Sequence, residues 1–312
     1  MNYSKEYIYS IAEQTGFIAN NIEKVIRLLD VLDFIFSKST FKDALSLKGG
    51  TAINLVYTNL IRLSVDIDLD YHRHLDKEKA AKDREIILQE LDEYMELNGY
   101  TNSNKSRGSA ILDSRTYSYT NASGNADNIK VEINFIDRIG LLPSTVKEID
   151  YFGKKVKIIC PSKEELYGMK ISATIDRSKP RDLYDANYLF ENLNDIDLNT
   201  LKKVAIFYLS LDGIYKINEE LFESIEAINY HAIKKELLPV LKKHNNFNIE
   251  KAKERVIKNL SDLLRLSPEE IKYLDEFSKG NYNPNLLFDE PTATRASNHP
   301  MAKWRIMSIQ KR

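Results

Sequence analysis

The chain has 312 residues, 43% of them hydrophobic, and a formal net charge of −1, so it holds enough apolar material to fill two cores of ordinary size. Its single cysteine, Cys160, excludes an intramolecular disulfide, the opening MNYSKEYIYS lacks the apolar run of a secretory signal, and no stretch nears the ~20 apolar residues a membrane span needs. The expected compartment is a reducing cytoplasm with no membrane partner. Charge is unevenly placed: residues 1–200 hold 26 Lys and Arg against 31 Asp and Glu, and residues 201–312 hold 19 against 15. A basic excess of that size is ordinarily a solvated surface, although it suits a phosphate-rich partner lying along the C-terminal part.

Residues 4–14 and 17–36 read as helices, the second with Ile18, Ile22, Val25, Ile26, Leu29 and Leu32 on one stripe. Ala44 to Lys48 is a short apolar strand stopped by Gly49-Gly50, after which Thr51 to Tyr57 resumes a helical pattern. Val65 to Tyr71 alternates. Val65, Ile67, Leu69 and Tyr71 share one face, and Asp66, Asp68 and Asp70 the other. Residues 77–98 form a charged amphipathic helix stopped at Asn98-Gly99. Ile111 to Thr120 and Ile129 to Ile136 are strands joined by NASGNADN and paired antiparallel by default; on the second, Glu132 shares a polar face with Lys130 and Asn134. Short strands near 144–149 and 154–159 are expected to complete the sheet.

From Pro161 onward helices take over. Ser162 to Glu165 reads as a capping box opening a helix to about Ile175, and Pro180 sets off another over Arg181 to Asn192. Helices follow at about 198–211, 219–243 and 249–265, and Ser267 to Glu270 caps one to about Ser278. Gly280 to Pro300 is an irregular arm that leads to a short helix over Met301 to Ser308. The expected fold is α+β: a small mixed sheet with helices over residues 1–160, and an all-helical domain over 161–312 that closes a cleft.

Two carboxylates on one strand face, Asp66 and Asp68, can grip a hard divalent cation, and Glu132 on a neighbouring strand can close the cage. Such a cage serves two-metal phosphoryl transfer. Alternating acids on a strand more often mark a solvent-facing edge. The Gly49-Gly50 turn changes that reading, because its backbone can approach a ligand closely and the helix start behind it favours phosphate oxygens. A Walker A loop and a dinucleotide fingerprint are excluded by the absence of GxxxxGKS/T and GxGxxG. An EF-hand fails on Tyr71 and Lys77, which stand where Gly and Glu are needed. His72 and His74 lack a third zinc ligand and read as strand-end residues.

A second cluster spans KISATIDRSKPRDLYD, residues 170–185. Lys170 lies one helical turn from Thr174, and Asp182 shares a face with Asp185. Lysine suits the neutralisation of a β- or γ-phosphate, with Arg177 or Arg181 beside it; taken alone, an Arg-Asp pair at a helix start is a structural salt bridge. Lys251, Arg255 and Lys258 share one helix face and could follow a phosphate backbone, a solvated face being the ordinary reading.

The segment LKGGTAINLVYTNLIRLSVDIDL, followed by EELYGMKISATIDRSKPRDLYDANYL, resembles the AbiEii/AbiGii-type toxins of the DNA polymerase β-like nucleotidyltransferase superfamily. The matching motifs are Gly49-Gly50-Thr51, Arg62-x-Ser64-x-Asp66-x-Asp68, Lys170, and Arg181-Asp182-x-x-Asp185, over about residues 40–195, with a weak extension through HPMAKW at 299–304. The resemblance implies a polymerase β-like core, Mg²⁺, and a nucleoside triphosphate substrate. It also implies the toxin half of a type IV toxin–antitoxin system tied to abortive phage infection. Asp66 and Asp68 would be catalytic and hold the metal with Glu132; Gly49, Gly50, Thr51, Arg62, Ser64 and Arg181 would surround the triphosphate. Lys170 would contact its phosphates, and Asp185 would be a further catalytic or nucleotide-orienting residue. The implied acceptor is RNA, tRNA first, GTP is one nucleotide that relatives prefer, and the implied partner is a winged-helix antitoxin repressor that need not touch the toxin. The alternatives are nucleotidylation of a protein, transfer to a small molecule, and a catalytically idle module that binds nucleotide or a partner.

Overall fold

Ser4 opens the first helix, α1 (Lys5–Thr15), by accepting the Tyr7 N–H, and Gly16 closes it in the left-handed conformation at φ 77°. The structure is a computed structural model that describes residues 2–109 and 111–311. It divides into two units: Met1–Arg138, Ser144–Pro161 and Val240–Asn245 form the first, and Ile139–Pro143, Ser162–Pro239 and Asn246–Arg312 the second.

In the first unit, α2 (Ala19–Asp33) buries Ile22, Val25, Ile26, Leu29 and Leu32 and runs into a π-helical turn over Phe34–Lys38. Its stripe is the one the spacing predicts, save that Ile18 is the exposed cap residue. Next come β1 (Leu45–Lys48), α3 (Gly49–Ala52) with a π-helical turn over Ile53–Tyr57, β2 (Asp66–Tyr71) and α4 (Lys77–Leu97). The strands β3 (Thr101–Asn102), β4 (Arg107–Gly108), β5 (Leu112–Thr120) and β6 (Ala126–Asn134) follow. The sheet order is β1-β2-β6-β5-β3, with β4 also on β5. β2 is antiparallel to β1 and parallel to β6, while β5 and β6 form the expected antiparallel pair. The sheet is therefore small and mixed, with β2 in its interior.

The strands β7 (Thr145–Tyr151) and β8 (Lys154–Cys160) do not complete that sheet, contrary to expectation; they pair only with each other. Phe152 and Gly153 both take positive φ, 56° and 74°, a two-residue turn that folds β8 straight back on β7. The hairpin then buries Ile149, Val156 and Ile158, with β8 against α2 and β1.

The second unit is helical: α5 (Lys163–Arg177), α6 (Pro180–Glu191), α7 (Leu198–Asp212), α8 (Glu223–Glu226), α9 (Tyr230–Ala232), α10 (Ile249–Leu263), α11 (Pro268–Ser278), α12 (Thr292–Asn298) and α13 (Pro300–Gln310). α5 and α7 approach closely at Gly168, where an added Cβ would run into the Val204 side chain and stand 3.2 Å from the Ala205 backbone nitrogen. The single helix expected over 219–243 is broken into short turns. Asn229 caps a new start by accepting the Ala232 N–H, and Pro239 has no N–H to continue the ladder. The expected irregular arm over 280–300 contains α12.

The two expected capping boxes differ. At Ser267 both reciprocal bonds to Glu270 form. At Ser162 only the hydroxyl half forms, with Ser162 Oγ accepting the Glu165 N–H at 3.2 Å. The Glu165 carboxylate instead accepts the N–H groups of Leu141 and Leu142, at 2.6 and 2.8 Å, and the Tyr208 hydroxyl at 2.8 Å. A buried carboxylate satisfied by three donors outweighs one cap bond, and it binds residues 139–143 into the helical unit. Arg295 adds bonds to the Gly140 and Leu142 carbonyls, at 2.9 and 3.3 Å. Among the described residues no helix is long and apolar enough to cross a membrane.

Candidate active site

β1 hands the chain to α3 through Gly49 and Gly50, and a side chain at either position would have to displace a neighbouring one. Gly49 has φ 69°, and a Cβ there would stand 2.7 Å from Asp68 Oδ2; a Cβ at Gly50 would stand 2.6 Å from Arg62 Nη2 and 3.3 Å from Ser64 Oγ. The turn thus presses its backbone against the Asp68 carboxylate, which only glycine permits. Thr51 is fully buried, its hydroxyl bonded to the Asp66 carbonyl oxygen and 2.9 Å from Ser64 Oγ. Arg62 is buried too, donating from Nη1 to the Leu63 carbonyl at 2.9 Å. Asn54 braces the same turn, donating to the Gly50 carbonyl at 2.8 Å and accepting the Arg62 N–H at 3.3 Å. Thr51 and Arg62 therefore sit as the joint between turn and strand, while Gly49, Gly50 and Ser64 remain half-buried.

On β2, Ile67 and Leu69 are buried on one face, and Asp66 and Asp68 are half-buried on the other. Asp70 is withdrawn from that open pair, buried and in an ion pair with Lys48 at 2.5 Å. Glu132 on β6 stands in register with Asp68, and Lys130 with Asp66, but Glu132 Oε2 is held by Lys130 Nζ at 2.7 Å. Burial pushes the Asp68 carboxyl above its ordinary value; Lys48 opposes this, while the Asp66 and Glu132 charges add to it. A carboxylate crowded by its own kind is what a bound cation relieves.

The hard oxygens of Asp66 and Asp68 fit a divalent ion of the Mg²⁺ kind. The structure does not draw Glu132 into one cluster with them: among the described residues no group of three or more His, Cys, Asp or Glu converges into a ready metal cage. Lys48 is the residue the sequence reading missed. It is paired in register with Asp68 across β1 and β2, a placement that only the strand alignment reveals. His72 bonds through its backbone N–H to the Ala44 carbonyl, and His74 is half-buried 3.9 Å from Asp83.

In the helical unit, the motif residues of α5 and α6 form one buried ion cluster. Lys170 Nζ lies 2.7 Å from Asp182 Oδ1 and 3.0 Å from Asp185 Oδ2. Arg177 Nε lies 2.8 Å from Asp182 Oδ2. Burial would raise the Asp182 carboxyl, but Lys170 and Arg177 outweigh it and hold the group below the ordinary carboxylate value. Pro180 at the first position of α6 sets the helix start that aims Asp182 and Asp185 at α5. Arg181 is engaged elsewhere, donating to the Glu236 carbonyl at 2.9 Å. Of the basic face expected on α10, Arg255 is bound to Asn187 and Glu191, so Lys251, Arg255 and Lys258 do not act as one open stripe.

The family described as nucleotidyl transferase AbiEii toxin, type IV TA system, matches residues 30–259 of the chain. No curated protein sequence matches it. Among solved structures the chain is similar to MenT4, a nucleotidyltransferase toxin from Mycobacterium tuberculosis H37Rv, with a TM-score of 0.66 and 16% identity over 99% of each chain. At that identity the likeness speaks for a shared α+β fold.

Proposed function

Because the chain belongs to the AbiEii family of nucleotidyltransferase toxins of type IV toxin–antitoxin systems, we propose that it transfers a nucleotide from a nucleoside triphosphate, with Mg²⁺, to an RNA acceptor, tRNA first, and so blocks growth during abortive phage infection. The observation that supports this reading most is the Asp68 carboxylate, crowded by Asp66 and Glu132 and pressed against the Gly49 turn. Asp66 and Asp68 would hold the ion, which when bound supplies positive charge to the phosphates and acidifies the attacking hydroxyl. The half-buried Gly49-Gly50 backbone would let phosphate oxygens approach, with Ser64 beside it. Thr51 and Arg62, being buried, would hold that turn in register with β2 rather than touch substrate. Glu132 would join the ion only by leaving Lys130. Lys170 and Asp185 would act as a preset pair, Asp182 and Arg177 fixing the ammonium in place. GTP is one candidate donor, and the antitoxin is a repressor that need not contact the toxin.

The test is incubation with each labelled triphosphate, Mg²⁺ and total tRNA. Labelled RNA is expected, reduced about a hundred- to a thousandfold by Asp68→Ala and abolished by chelation until Mg²⁺ is restored. Label on protein would favour protein nucleotidylation instead, and no label on any acceptor would sink the transfer reading.

A further inference from the structure

α6, residues 246–248 and the start of α10 line an open polar cleft of about 430 Å³ on the helical unit. Its wall carries the amides of Asn187, Asn246 and Asn248, the ring of Phe247, the cations Lys251 and Arg255, and the carboxylate of Glu191, which Arg255 neutralises. The Phe247 ring is braced edgewise by Tyr184, with centroids 5.1 Å apart and planes at 60°, and remains half-exposed. Arg255 is fixed at the wall by the Asn187 amide oxygen at 2.7 Å and by the Glu191 carboxylate. Asn248 is occupied in capping α10, accepting the Lys251 N–H at 3.0 Å. The Asn246 amide and the Lys251 ammonium, by contrast, have no protein partner among the described residues.

That lining is unsuited to an apolar ligand, because one ring stands among amides and charges. It suits a flat heteroaromatic with a hydrogen-bonding edge and an anion attached. Amides both donate and accept, so they can read the edge of a base; a half-exposed aromatic face stacks a base whatever its identity; an unpaired lysine meets a phosphate as a point charge. We propose that this cleft binds one nucleotide unit, its base stacked on Phe247 and edged by Asn187 and Asn246, its phosphate on Lys251. The same chemistry is offered by a free nucleoside monophosphate and by a nucleotide of single-stranded RNA. The site shares no residue with the carboxylates of β2, and its occupancy does not depend on transfer activity.

The experiment is fluorescence anisotropy of the full-length protein with a fluorescein-labelled single-stranded hexaribonucleotide, in EDTA and without triphosphate, with nucleoside monophosphates as competitors. Phe247→Ala is expected to weaken binding about tenfold, the factor expected from the loss of one base–aromatic stack, while Phe247→Tyr retains it. Lys251→Glu, an exposed change that leaves the fold alone, is expected to weaken binding and to lower the salt dependence by about one counterion. Displacement by a monophosphate identifies the free nucleotide as sufficient, and displacement by unlabelled oligonucleotide alone identifies the RNA strand. Absence of binding by both probes, or wild-type affinity in Phe247→Ala and Lys251→Glu together, overturns the proposal; if Phe247→Ala does not fold, Lys251→Glu decides.

Discussion

Asp182 shows how one residue can tie a sequence motif to stability as well as to function. It is 2% exposed and bonded to both Lys170 and Arg177. Asp182→Asn should therefore leave Lys170 in a buried site with half its compensation, a loss of roughly 3–5 kcal/mol at neutral pH. The pH dependence follows from the lowered carboxyl. As pH falls through the ordinary value of 3.8, the unfolded chain takes up a proton that the folded chain still refuses, so the stabilisation is complete above that value and disappears below the lowered folded one. Urea midpoints at pH 7 and pH 3 should show the gap between wild type and Asp182→Asn narrowing in acid. A gap of equal size at both pH values would disprove the electrostatic account. At this scale much was legible in advance: Lys170, Asp182 and Asp185 were marked by spacing, yet their mutual contact was not. The pairing of Asp70 with Lys48, which leaves two open aspartates instead of three, depends on which residues β1 sets opposite β2.

At the scale of elements, helix packing turns on Gly168. An alanine there would drive its Cβ into Val204 and against the Ala205 backbone, an overpacking that costs about 1–3 kcal/mol. The thermal midpoint of Gly168→Ala should fall accordingly, and adding Val204→Ala should recover part of the loss; equal midpoints for the single and double variants would show that the contact yields elsewhere. The capping box at Ser267 and the half box at Ser162 share one local pattern, and they differ only because Glu165 meets the N–H groups of residues 141 and 142. The detached hairpin of β7 and β8 has the same lesson. Alternating strands declare themselves locally, but the sheet they join is set by turn geometry and by which layer accepts their apolar face.

Across the whole molecule, the chain exchanges short segments between its two units. Residues 240–245 belong to the sheet-bearing unit, where the Val240 carbonyl accepts the Leu63 N–H and Lys243 donates to the Gly16 carbonyl, each at 2.8 Å. Val240 and Leu241 are buried. A fragment ending at residue 161 lacks all of this, and it should show no cooperative thermal transition when expressed alone. A sharp transition at the temperature of the intact chain would show that the returning segment is dispensable.

The sequence by itself determined the α+β class, the Gly49-Gly50 turn, the alternating strand with Asp66 and Asp68, and the paired motif on α5 and α6. These are local patterns, written in side-chain period, turn chemistry and helix-start signals. Tertiary structure alone decided that Thr51 and Arg62 lie buried behind the turn, that Glu132 is held by Lys130, that Lys48 joins the acidic strand, and that residues far apart in the chain line the cleft beside Phe247. The physical reason is that burial, strand register and ion pairing depend on which distant segments meet, and no periodicity within a segment encodes its partner.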